Sequence, residues 1–162
     1  MKKILISPTL GLDLEGITSV IYNYSKAMDR SNLQLCFLTY GDLKPAVRER
    51  FQSLGEILFV ADRKQSTFAY MQGYVALLKE HSFDVVHING NSGTMIIEVL
   101  LAKLCGVKNI LVHTHNTRTN DKHLCRLHTR NTAHKLALSA TWALKEVAAL
   151  LHSHAAGNLG HR

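Results

Sequence analysis

The stretch that decides the fold is residues 84–118, which opens D-V-V-H-I-N-G-N-S-G over residues 84–93 and closes G-V-K-N-I-L-V-H-T-H-N-T-R over residues 106–118. Two β-branched runs, residues 85–88 and 110–112, each lead into histidine and polar loop residues, with a helix-length apolar segment, residues 94–105, between them. Parallel strands need a crossover of about a dozen residues, usually a helix, so the segment reads as a β-α-β unit. Both polar loops then leave the carboxyl ends of neighbouring strands. Open α/β sheets bind ligands along that edge, which sets His87, Asn89, Asn91, His115, Asn116 and Arg118 toward one crevice.

Working outward, residues 4–7 read as a buried first strand, and residues 8–16 as a loop with two glycines and two acids. Ile17, Val20, Ile21, Tyr24 and Met28 fall at helical spacing and predict a helix over residues 17–28. A second strand follows at residues 33–39. Pro45 suits the first turn of a helix whose stripe is Val47, Phe51 and Leu54, with Gly55 at its C-cap position. Residues 56–61 form a third strand, and Ser66 or Thr67 caps a helix to His81 that buries Phe68, Met71, Val75 and Leu78. This alternation predicts a Rossmann-like doubly wound parallel sheet with helices on both faces and the first strand central.

The bulk properties narrow the class. The chain has 162 residues, 46% of them hydrophobic, a mean hydropathy near zero, and no apolar run of the roughly 18 to 20 residues a membrane span needs. The apolar segment at the amino end is too short for a signal peptide. Three cysteines, Cys36, Cys105 and Cys125, make an odd set without C-x-x-C spacing, the pattern of reduced thiols in a cytoplasmic protein. Residues 1–100 balance ten Lys and Arg against ten Asp and Glu, whereas residues 101–162 hold nine against two. That basic last third is either a solubilising face or a contact for an anionic membrane or phosphorylated glycan. Nucleic acid is disfavoured because the cations are not interleaved with aromatics. The loop before Gly16 is neither G-x-G-x-x-G nor a P-loop, so Gly16 either simply starts a helix or lets a phosphate approach backbone N–H groups there. His113 and His115 point the same way on a strand, but no third ligand stands at a diagnostic spacing, and no metal site is expected. His87 reads as a crevice residue or as a strand-end histidine satisfied by its surroundings.

Three segments carry a family resemblance: L-G-L-D-L-E-G-I-T-S-V-I-Y-N-Y at residues 10–24, F-D-V-V-H-I-N-G-N-S-G-T-M-I-I-E at residues 83–98, and L-A-K-L-C-G-V-K-N-I-L-V-H-T-H-N-T at residues 101–117. In this order they resemble the amino-terminal, acceptor-side domain of GT-B glycosyltransferases, closest to the retaining family-four enzymes of bacterial capsular and exopolysaccharide synthesis. The resemblance implies a Rossmann-like domain over residues 1–150, an atypical tail at 151–162, and a separate nucleotide-sugar domain absent from this sequence. It further implies no cofactor beyond a nucleotide-sugar co-substrate, a surface-polysaccharide or lipid-linked glycan acceptor, and inactivity of this half alone. Gly16, Ile17 and Thr18 would line the cleft near the leaving phosphate, His115 would approach the transferred sugar, and Asn116 and Arg118 would orient the acceptor. The chain departs from the family in having Glu15-Gly16-Ile17-Thr18 where two adjacent glycines are usual.

Overall fold

A computed structural model describes residues 1–13, 16–91 and 93–115, and residues 1–115 make one compact unit. The basic last third beyond residue 115, the boundary at 150, the tail, and Asn116 and Arg118 lie outside the described residues. In chain order the elements are β1 (Lys2–Pro8), α1 (Ile17–Ala27), β2 (Leu33–Tyr40), α2 (Pro45–Gln52), β3 (Glu56–Val60), α3 (Thr67–His81), β4 (Val85–Gly90), a 3-10 turn (Gly93–Met95), α4 (Ile96–Leu104) and β5 (Asn109–Thr114). The five strands are all parallel, in the order β3-β2-β1-β4-β5. The expected doubly wound Rossmann-like sheet is therefore present, with β1 at its centre.

Strand alternation sorts the core into two layers. Ile6 pairs in register with Phe37 of β2 and His87 of β4, so these three share a face. Ile6 and Phe37 pack there with Ile21 of α1 and Val47 and Phe51 of α2, and Phe37 meets Phe51 edge to face at 4.9 Å. Leu5, Cys36, Leu38, Val86 and Ile88 alternate to the opposite face, the side covered by α3 and α4, and all five are fully buried. Asp84 locks the entry to β4: its Oδ2 accepts from the Lys3 amide at 2.7 Å, its own amide donates to the Lys3 carbonyl, and its carbonyl accepts from Asn109 Nδ2. That clamp brings the amino ends of β1, β4 and β5 into register.

Several local expectations shift. The buried face of α3 is Tyr70, Met71, Tyr74, Leu77 and Leu78, while Phe68 is 41% exposed and Val75 half-buried. The helix is apolar on nearly every side, so the pattern underdetermines its rotation, and the tyrosines win because their rings fill the volume behind β1. On α1, Val20 is exposed and Thr18 and Ser25 are buried in its stead. Ser66 is the cap of α3, its Oγ accepting from the Ala69 amide at 3.2 Å. Gly55 does not cap α2, which ends at Ser53. A Cβ on Gly55 would run into the Leu35 carbonyl, so glycine stands there to let the chain pass against β2. Cys36 is buried and Cys105 is half-buried. No helix among the described residues is long and apolar enough to cross a membrane.

Gly55→Ala is expected to destabilise the protein by about 1–3 kcal/mol, since overpacking against backbone has no rotamer to relax into. A urea midpoint equal to that of the wild type would show that the chain does not pass so close to Leu35.

Candidate functional site

The loop after β1 crosses the carboxyl edge of the sheet and is tied down at each step. The Thr9 amide donates to the Asn89 carbonyl at 2.9 Å, the Tyr40 hydroxyl donates to the Thr9 carbonyl at 3.0 Å, and the Leu12 amide donates to Thr39 Oγ1. The Asp13 amide donates to Thr18 Oγ1 at 3.0 Å, joining the loop to the first turn of α1. Gly16 precedes that turn with φ 56° and ψ −118°, a conformation open in practice only to glycine. A Cβ there would meet nothing within 4 Å, so the requirement is for backbone freedom rather than for space. Gly16 offers no side-chain cap, and no acid occupies the first turn of α1. The amides of that turn carry the partial positive charge of a helix start.

These residues wall a cleft of about 440 Å³ lined by Thr9, Gly11, Asp13, Gly16, Ile17, Thr18, Lys64, Asn89 and Asn91, among others. Five residues singled out from sequence, Gly16, Ile17, Thr18, Asn89 and Asn91, thus come together. His115 joins them indirectly, its Nε2 lying 3.2 Å from Asn89 Oδ1 and its amide donating to the Gly90 carbonyl. His87 is not among the lining residues. It lies beneath, its ring 5.6 Å from Tyr24 and 5.9 Å from His113. Lys64 is the lining residue that the sequence reading missed. The edge rule that found Asn91 applies equally to the loop after β3, which carries Lys64, and would have found it.

Asn89 organises the polar floor. It is fully buried, and its Nδ2 donates to the His87 carbonyl at 3.2 Å, which fixes which end of the carboxamide is oxygen. Because Oδ1 can then only accept, His115 Nε2 must carry the hydrogen, leaving the lone pair of a neutral ring on Nδ1. Burial lowers the His115 pKa, and the neighbouring His113, stacked at 4.2 Å, adds to the shift. His87 is lowered too, first by burial and then by His113 and His115. Burial pushes the Tyr24 phenol up to about 12. Among the described residues no group of three His, Cys, Asp or Glu could hold a metal ion. The site therefore offers amide donors, carboxamides, one lysine and a neutral imidazole, a set suited to hydroxyl and phosphate ligands.

The chain is 31% identical over 110 residues to the protein named "Putative glycosyltransferase EpsF" of Bacillus subtilis (strain 168). The match covers 66% of this chain but only 28% of that protein, so the similarity relates the chain to one portion of a glycosyltransferase-like sequence. No family model and no solved structure matches the chain.

The stacked histidines carry a pH signature. A histidine whose folded pKa lies below its unfolded value of about 6.5 takes up its proton more readily in the unfolded chain, so its contribution to stability is complete above that pH and lost as the pH falls below it. The melting temperature should therefore drop between pH 7.5 and pH 5, and His87→Gln should shrink that drop. An equally steep drop in His87→Gln would assign the effect to other groups.

Proposed function

We propose that this chain is the acceptor-side half of a GT-B, family-four-like retaining glycosyltransferase of bacterial capsular or exopolysaccharide synthesis. It works with a second domain that holds a nucleotide-sugar, and transfers the sugar to a hydroxyl of a surface-polysaccharide or lipid-linked glycan. The observation that carries this reading is the convergence of the β1–α1 loop, Asn89, Asn91 and the His115 bond at one edge of a parallel sheet. The likeness to EpsF over 110 residues supports it.

In such a reaction the C–O bond to the leaving phosphate breaks as the acceptor hydroxyl attacks the same face of the sugar and its proton passes to the departing phosphate oxygen, and charge develops on a ring resembling an oxocarbenium ion. Stabilising the departing phosphate matters more than a strong base. The first-turn amides of α1 after Gly16 supply fixed donors with no reorganisation cost, the kind of preorganised dipole that lowers such barriers. His115, held neutral by its surroundings and oriented by Asn89, presents its ring to the sugar. Asn116 and Arg118 follow directly in sequence and orient the acceptor. The excess of basic residues after position 100 supports a cytoplasmic protein resting on the inner, anionic face of the membrane. On this reading the chain alone transfers nothing, because the donor grip belongs to its partner domain.

The test is sugar transfer by a full-length relative, with nucleotide-sugar donor and lipid-linked glycan acceptor, carrying Ala at the position equivalent to His115. Turnover is expected to fall by roughly a hundredfold, in the range seen when one transition-state hydrogen bond is removed. Undiminished turnover would remove His115 from the mechanism. The companion change Gly16→Ala should cost about 1–3 kcal/mol of stability through backbone strain, read as a lowered denaturation midpoint. An unshifted midpoint would show that the loop tolerates a side chain.

A further inference from the structure

Glu98 is the one acid among the described residues that is buried completely, and it sits on α4 facing α3. Its Oε1 accepts from Arg63 Nη1 and from the Tyr70 hydroxyl, each at 2.9 Å, while Oε2 has no hydrogen-bond partner. Burial raises the Glu98 carboxyl above its ordinary value, with Arg63 and Tyr70 drawing it back. A buried ion pair of this kind is poor at raising stability, since well-packed apolar residues do as well or better. Its best-attested use is to fix geometry.

The geometry it fixes is that of the cleft. Arg63 and Lys64 are adjacent in the loop between β3 and α3, and the Asp62 carboxylate tightens that loop by accepting from the Lys64 amide at 2.8 Å. Glu98 therefore holds Arg63 under the rim while Lys64 turns outward into the cleft wall. The same network reaches the facing wall, because Tyr70 packs edge-on to Tyr40 and the Tyr40 hydroxyl holds the Thr9 carbonyl. The other charged residue lining the cleft among those described, Asp13, is bridged to Lys44 at 2.7 Å. Lys64 is exposed at the cleft wall, and its ammonium has no ion-pair partner among the described residues.

We infer that Glu98 is a positioning residue which, through Arg63, sets Lys64 at the cleft wall to read a phosphate group on the ligand. The inference deepens the proposed function by naming a charge its substrate must present. That phosphate belongs either to the nucleotide-sugar or to a phosphorylated acceptor, and the chemistry at Lys64 is the same for both.

The test uses the full chain, labelled with 15N, and inorganic pyrophosphate as probe, with glucose as neutral control. Pyrophosphate at low salt should shift the amides of Ile17, Thr18 and Lys64, and glucose should not. Lys64→Ala, at an exposed position, should weaken binding by at least about threefold, the scale of one accessible charge contact. Replacing the buried network as a unit with apolar groups of similar volume (Arg63→Met, Tyr70→Phe, Glu98→Leu) should keep the melting temperature near that of the wild type. It should also lower the heteronuclear NOE at Lys64 and weaken pyrophosphate as much as Lys64→Ala does. Adding Lys64→Ala to that background should then cost nothing more, a coupling that a merely structural role would not produce. If the triple variant does not fold, Arg63→Met serves in its place, since Glu98 can take up a proton.

Undiminished binding in Lys64→Ala, or an unchanged NOE and affinity in the network variant, would overturn the inference, as would additive losses. Parallel titrations with UDP and with glucose 1-phosphate identify the source of the phosphate by which of the two loses affinity in Lys64→Ala. Sugar transfer is not read here. Loss of the inference therefore leaves a transferase with a neutral ligand at this wall, whereas pyrophosphate binding without transfer in a full-length relative would sink the proposed function alone.

Discussion

A buried carboxamide must find partners for both its ends, and the way Asn89 does so shapes the whole rim. Its nitrogen is spent on the His87 carbonyl, its oxygen on His115, and its backbone carbonyl on the Thr9 amide. One residue at the end of β4 thus ties together the strand ends of β1, β4 and β5. An orphaned amide at this depth would cost on the order of 1–3 kcal/mol, so the three contacts hold one another in place. The tautomer of His115 follows from the same constraint, and with it the chemistry that the imidazole can offer.

Beneath that rim the two faces of the sheet play different parts. The side carrying α1 and α2 is closed by aromatic packing under β2, and then gives way across β4 and β5 to stacked histidines and Tyr24. The side carrying α3 and α4 hides a charged network where an all-apolar core would have served stability better. Buried polar groups from both faces gather toward the carboxyl edge, whereas the amino edge is tied by the Asp84 clamp, by Lys3 Nζ against His81 Nδ1 at 3.0 Å and by Arg30 donating to the Leu54 carbonyl.

Much of this was legible from sequence because parallel strands buried on both faces read as unbroken runs of Val, Ile and Leu, and because the carboxyl-edge rule needs only strand order. The β-branched runs at residues 85–88 and 110–112 located β4 and β5, and with them Asn89 and Asn91. What escaped depends on partners distant in the chain. Nothing local shows that Glu98 is buried, because its counter-charge lies 35 positions earlier at Arg63. Gly55 looked like a helix terminator when its reason is the Leu35 carbonyl, and α3 was rotated wrongly because Phe68 and Tyr70 are equally plausible inward residues until β1 is in place. The place of Lys64 at the cleft follows from the same edge rule applied to the loop after β3.

The central position of β1 also governs the order in which the molecule can be built. Its partner on one side, β2, arrives some 31 residues later, but Val85, which pairs with Ile4, emerges only 81 residues after it. A chain leaving the ribosome can assemble the β1–β2–β3 half early, yet must carry an unpaired, wholly apolar edge along Leu5 and Ile6 until β4 is made. The cleft at the carboxyl edge cannot exist during that interval. Its completion coincides with the closing of the edge most prone to aggregation, so for this chain maturation of the binding surface and escape from misassembly are a single event.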